Sequence, residues 1–106
     1  MRQICNGYVY DTKKAIKMAH DSYSYSSDFH HWDETLYVTK NGRFFIAGAG
    51  GPLSQWGRPV GNNGRGGSKG IRAVAREEAM EWLERSRIST EDLPEDAIKH
   101  LQLTEA

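Results

Sequence analysis

The sequence of 106 residues has little of several things, and each shortage excludes something. It holds one cysteine, Cys5, so neither an intramolecular disulfide nor a sulfur cage for structural zinc is available. No apolar run approaches the roughly 18–20 residues that cross a bilayer, and Met1-Arg2-Gln3-Ile4-Cys5 lacks the apolar core of a signal peptide, so a soluble, cytoplasmic protein is expected. Of only three prolines, two fall in the region that also holds ten of the eleven glycines, which reads as mostly loop. Carboxylates are missing altogether between Thr35 and Arg76, a stretch that holds Lys40, Arg43, Arg58, Arg65, Lys69 and Arg72.

That gap exposes a charge segregation hidden by a net charge of zero. Residues 1–75 carry ten Lys/Arg against five Asp/Glu, and residues 76–106 carry four against nine, so the two parts stand at +5 and −5. The first part attracts anions and the second repels them. A hydrophobic fraction of 38% and a charged fraction of 26% suit one small domain with a lean core.

Two Asn-Gly pairs anchor the structural reading. Asn6-Gly7 predicts a two-residue type I′ hairpin over Arg2 to Tyr10, with Ile4 across from Val9 on the core side. Asn41-Gly42 predicts a second over Glu34–Lys40 and Arg43–Gly48, pairing Val38 with Phe45, Tyr37 with Ile46 and Leu36 with Ala47. Between them, Ala15, Ile16, Met18 and Ala19 have near-helical spacing and predict a short helix after Asp11 or Thr12. Residues 21–33 read as a loop with aromatic anchors. The segment at about 49–70 is too glycine-rich for a helix and reads as a long loop pinned by Leu53, Trp56 and Val60, followed by a short strand over Ile71–Val74. Ala79, Trp82 and Leu83 predict an amphipathic helix over residues 75–86. Leu93-Pro94-Glu95-Asp96 opens a C-terminal helical extension at about 87–106, with Ala97, Ile98 and Leu101 inward. The expected fold is one α+β domain: an antiparallel sheet of two hairpins plus a short strand, with two or three helices on one face. Its predicted core is Ile4, Val9, Ala15, Met18, Leu36, Val38, Phe45, Ala79, Trp82, Leu83, Ile98 and Leu101.

Motifs of chemistry are thin. His30-His31 with Asp33 and Glu34 is the densest set of metal-ligand types, but adjacent residues of an extended chain point to opposite sides and cannot readily share a tetrahedral ion. The run Gly61-Asn62-Asn63-Gly64-Arg65-Gly66-Gly67-Ser68-Lys69-Gly70 completes neither the Walker pattern nor the dinucleotide fingerprint. No catalytic set, cofactor, metal or membrane contact is therefore expected. Arg58, Arg65, Lys69 and Arg72, with Trp56 to stack a base, suit a nucleic-acid backbone. Glu77, Glu81 and Glu84 suit a basic channel, and Trp56 and Trp32 are candidate hot spots beside these charges.

The assembled pattern is Asn6-Gly7-x-x-Tyr10-Asp11-Thr12, Glu34-Thr35-Leu36-Tyr37, Gly42-Arg43-Phe44-Phe45, Gly50-Gly51-Pro52-Leu53-Ser54, Gly61-Asn62-Asn63 and Glu77-Glu78-Ala79-x-x-Trp82-Leu83-Glu84. Over residues 6–84 it resembles a family of small proteins carried by bacteriophages and other mobile elements. Accessory proteins of that kind include anti-CRISPR proteins and other anti-defence inhibitors. The resemblance implies a non-enzymatic inhibitor in the host bacterial cytoplasm whose partner is a Cas effector complex. The alternative is a small accessory protein that binds nucleic acid through its basic glycine-rich loop.

Overall fold

A computed structural model describes residues 1–106. Eight strands run in chain order: β1 (Arg2–Cys5), β2 (Tyr8–Asp11), β3 (Ile16–Tyr23), β4 (Trp32–Val38), β5 (Phe44–Gly50), β6 (Arg58–Val60), β7 (Gly64–Gly66) and β8 (Ser68–Val74). Helix α1 (Arg76–Arg85) and the single-turn α2 (Glu95–Ile98) follow, with 3-10 turns at Thr90–Asp92 and Lys99–Leu101. The central sheet is antiparallel in the order β3-β4-β5-β8, and β1-β2 and β6-β7 are separate hairpins. The α+β class is as expected, but the sheet is assembled differently.

The expected first helix is strand β3. Its pairing with β4 passes from Lys17↔Tyr37 to Ala19↔Leu36 across a bulge, which leaves Met18 as the extra residue. A strand carrying one extra residue places apolar groups at 16, 18 and 19 instead of strictly alternating, and this imitates a helical stripe. The continuation His20-Asp21-Ser22-Tyr23 pairs with residues 32–35 and commits the whole segment to the sheet.

The second hairpin forms around Asn41-Gly42 with a register one residue from the expected one: Val38↔Phe44, Tyr37↔Phe45 and Leu36↔Ile46. Only Gly42 has positive φ (+81°), and Thr39 N–H donates to Arg43 O at 2.8 Å, so the loop has three residues, Lys40 to Gly42. Such loops need glycine only at their last position, whereas type I′ needs two positive φ values. The one-residue shift turns every side chain of β5 over. Phe44 and Ile46 thereby join Leu36 and Val38 under the helices, and Phe45 goes to the opposite face.

On the helix side, Met18, Leu36, Val38, Phe44, Ile46 and Val74 meet Ala79, Trp82 and Leu83 of α1 and Leu93, Ala97 and Leu101 of the C-terminal segment. The extension is thus part of the main core. The opposite face is covered by the β1-β2 hairpin. Asn6 (φ +53°) and Gly7 (φ +83°) make the expected turn, and Ile4 does pair with Val9. The inward face is nevertheless the other one: Ile4 and Val9 are exposed, while Tyr10 is buried on Phe45 with ring centroids 5.2 Å apart. Tyr37 stacks on the same ring at 5.1 Å. Of the remaining predicted core, Ala15 and Ile98 are half-buried.

Gln3, on that inward face, explains the choice. Its amide donates to Ile71 O at 2.9 Å and accepts from Ile71 N–H at 3.0 Å, so one side chain replaces a missing strand partner along the edge of β8. Exposed edge groups are otherwise a template for unwanted pairing.

Several glycines of residues 48–70 serve close packing. A Cβ on Gly57 would lie 2.1 Å from Pro52 O, one on Gly67 2.5 Å from Gly50 O, and one on Gly51 2.5 Å from Phe29 O. In place of a long loop the segment contains the end of β5, a tight turn over Pro52–Gly57, the β6-β7 hairpin and the start of β8. Gly48 is the most telling of them, because a Cβ there would stand 2.4 Å from the Trp56 ring. Gly48→Ala is expected to lower stability by about 1–3 kcal/mol through overpacking, read as a fall in thermal midpoint. An unchanged midpoint would place Trp56 elsewhere.

Candidate functional site

Alternation along β4 directs Glu34, Leu36 and Val38 toward the helix layer, which makes Glu34 the one buried charged residue, 5% exposed. A carboxylate in that position must be fully hydrogen-bonded. Three donors converge on it: Trp82 Nε1 to Oε1 at 2.9 Å, Trp56 Nε1 to Oε2 at 2.8 Å and Gln55 Nε2 to Oε2 at 3.0 Å. Trp82 comes from α1, while Gln55 and Trp56 come from the turn after β5. One carboxylate therefore joins the sheet, the helix and the glycine-rich segment.

The sheet makes room for this. Asp21, Glu34, Gly48 and Gly70 form one row across β3, β4, β5 and β8. The two glycines leave a trench, and the Trp56 indole lies in it, touching the bare backbone of Gly48 and reaching within 3.9 Å of a Cβ position on Gly70. Beside Glu34 opens a cleft of about 450 Å³ lined by Asp21, Trp32, Gln55, Arg72 and Arg85. Arg72 is held toward α1 by Glu78 at 3.1 Å. The Glu78 carboxylate also accepts from Ala75 N–H at 3.4 Å, which closes the start of the helix.

The sequence-predicted site residues do not form one surface. Arg58 and Arg65 share the β6-β7 hairpin, where Arg65 Nε donates to Pro52 O at 2.9 Å. Lys69 and Arg72 lie on β8 at positions of opposite parity and face opposite sides of the sheet. Trp56 is locked against Glu34 and Gly48, so it is not free to stack a base. Trp32 is half-buried and stacked with Tyr23, centroids 6.4 Å apart. Glu77, Glu81 and Glu84 are exposed on α1 at a spacing that keeps them on one helical face.

Two features escaped the sequence reading. Glu34 was one carboxylate among several there, although the alternation Trp32, Glu34, Leu36, Val38 already set it among inward residues. The exposed aromatic groups are Tyr8, Tyr23, Tyr25 and Phe29 rather than the tryptophans. Tyr23 ends β3, and Tyr25 and Phe29 lie in the β3-β4 connection, whose far side is zipped to the glycine-rich segment by Gly51 N–H to His31 O and Leu53 N–H to Phe29 O, each 2.9 Å. The histidines close local structure: His20 lies 2.9 Å from Asp33 across the strand pair, and His31 Nδ1 lies 2.7 Å from Asp28 O. Asp28 organises the connection. The backbone N–H of His30, then the Ser24 hydroxyl, hold its carboxyl below the ordinary carboxylate range.

No protein-family model, curated protein or solved structure matches the chain.

Two outcomes follow from this geometry. Glu34→Gln keeps the shape but presents an NH2 to at least one buried N–H, so the urea midpoint should fall by the equivalent of about 1–3 kcal/mol, and an unchanged midpoint would remove Glu34 from its central place. Asp28, with its folded value lowered, contributes to closure of the β3-β4 connection above its unfolded value, a contribution lost as pH falls through the lowered one. A carboxyl-carbon NMR titration should place its midpoint below the ordinary 3.8, and a midpoint at or above that value would contradict the arrangement.

Proposed function

We propose that this chain is a non-enzymatic binding protein that inhibits a host defence system, most specifically an anti-CRISPR protein that seats on a Cas effector complex and blocks nucleic-acid binding or assembly. The observation that carries the reading is the acidic row of α1. Glu77, Glu81 and Glu84 stand exposed on one helical face, with successive rises along the axis of about 6 and 4.5 Å. A straight run of negative charge at that pitch suits a basic channel built for a phosphate chain, as effector complexes present for guide and target strands. The helix is fastened to the sheet through Trp82 and Glu34, so the row is presented on a rigid support and little ordering entropy is lost on docking. The resemblance to proteins carried by mobile elements points to the same class of partner.

The second reading, direct binding of nucleic acid by the glycine-rich segment, is favoured by Arg58 and Arg65 on one exposed hairpin. Its affinity would fall steeply with salt, through release of counterions.

The deciding experiment is purification of the tagged protein with a reconstituted Cas effector, beside a phage-restriction assay. The expected result is co-purification and relief of restriction, both abolished by Glu77→Lys/Glu81→Lys/Glu84→Lys and both retained by Arg58→Glu/Arg65→Glu. Undiminished restriction together with no effector recovered would overturn the inhibitor reading. Loss only in the arginine variant would move the working face to the hairpin.

A further inference from the structure

At the end of the sheet away from the glycine-rich hairpin, three pieces of chain meet. The pair Ile16↔Val38 brings the turn between β2 and β3 beside the turn between β4 and β5, and Arg2 lies across from Asp11 in the first hairpin. Between them opens a cleft of about 700 Å³, into whose lining these pieces bring Arg2, Lys13, Lys14 and Lys40 against the single carboxylate of Asp11. That carboxylate is engaged locally, since Asp11 Oδ1 accepts from Lys13 N–H at 2.9 Å and shapes the turn. The ion pairs of the molecule lie elsewhere, between His20 and Asp33, His30 and Asp28, Arg72 and Glu78, and Arg76 and Glu77. Four cations are thus gathered around one hollow against one carboxylate, a net charge of +3 (4 − 1) that attracts an anion from outside.

We propose that this cleft is a site for the sugar-phosphate backbone of duplex nucleic acid, on a surface separate from those of both readings above. Three observations select that ligand. The lining contains no aromatic ring and only Val9 and Ala15 as apolar residues, so it offers phosphates charge and offers bases nothing to stack on. Single-strand binders combine cations with stacking platforms, whereas a purely cationic hollow suits a duplex whose bases are already stacked. The cations come from three segments instead of one nest, and the volume exceeds what one phosphate fills, which fits a run of phosphates along a backbone. Binding is then independent of sequence and governed by salt.

The test uses fluorescence anisotropy with a random-sequence duplex of about 20 base pairs, starting near 50 mM salt and rising to about 200 mM. With up to four phosphates neutralised at about 0.9 each, the slope of log K against log salt is expected at about −3 to −4. Lys13→Gln/Lys14→Gln/Lys40→Gln, all exposed positions, should bring the slope to about −1 and weaken binding at least about tenfold, with the thermal midpoint kept as the check on folding. Arg58→Gln/Arg65→Gln should bind as the parent does. Unchanged binding by the lysine variant overturns the proposal, as does loss confined to the arginine variant, which would assign the binding to the glycine-rich hairpin. Tighter binding of a single strand of equal length, displacement of the duplex by millimolar inorganic phosphate at constant ionic strength, or binding to anionic-lipid vesicles without binding to duplex also overturns it. The effector co-purification is unaffected by any of these outcomes, so the inhibitor reading stands or falls separately.

Discussion

The hydrogen-bonding demand of one buried carboxylate organises this molecule. Each bond from a neutral donor to a charged acceptor contributes about 1.5–3 kcal/mol, and an unmet buried acceptor costs at least as much as a bond gained. Glu34 meets its demand with two indoles and an amide drawn from two parts of the chain, and that requirement fixes where they sit. Trp82 sets the position of α1 over the sheet. Trp56 fixes the turn after β5, and Ser68 ties back to it through the Trp56 carbonyl. Without the charge at position 34, hydrophobic burial would still press helix and sheet together, but only the Gly48 trench and the Arg72–Glu78 pair would be left to choose among sliding alternatives.

Much of this was legible in the sequence where chemistry is local. Asn6-Gly7 specifies its own turn because both residues tolerate positive φ, and the stripe Ala79, Trp82, Leu83 specifies α1 because a ten-residue helix has one face to bury. Legibility failed where the outcome depends on a distant partner. The bulge at Met18 exists because β3 must follow β4, and residues 15–19 taken alone satisfy a helical period as well as an interrupted strand. The register at Asn41-Gly42 turned on whether one or two residues of the loop take positive φ, a choice settled by which of Phe44 and Phe45 the helix layer could accommodate. The first hairpin turns Gln3 and Tyr10 inward and Ile4 and Val9 outward because Gln3 finds Ile71 across 68 residues of chain and Tyr10 finds Phe45. For the site, charge composition divides the chain into basic and acidic segments, but parity along β8 sends Lys69 and Arg72 to opposite sides.

The charge arrangement gains meaning from the layers. The helix layer, drawn from residues 76–106, carries nine acids against four bases, and the remainder of the chain carries the opposite balance. The two parts are packed into one rigid body, so regions of unlike charge balance keep a fixed arrangement. Arg72 and Glu78 are the bridge between the layers, and Arg76 and Glu77 lie 4.0 Å apart at the joint between strand and helix. Such a body orients itself in the field of a charged partner before contact, which favours association rate and register more than residual affinity.

The Gln3 amide has a consequence for the order in which the molecule is made. The first hairpin can close within microseconds from its own turn, yet its docking partner on β8 does not exist until β5 and the chain beyond Ser68 have paired. Docking of this most local element therefore depends on a contact 68 residues away along the chain. Whenever the hairpin is undocked the edge of β8 and the face around Phe45 are open, and bare strand edges and apolar faces are what drive wrong association. Seating the hairpin closes both openings in one step, and the amide of a single glutamine is what makes that step the latch on the finished sheet.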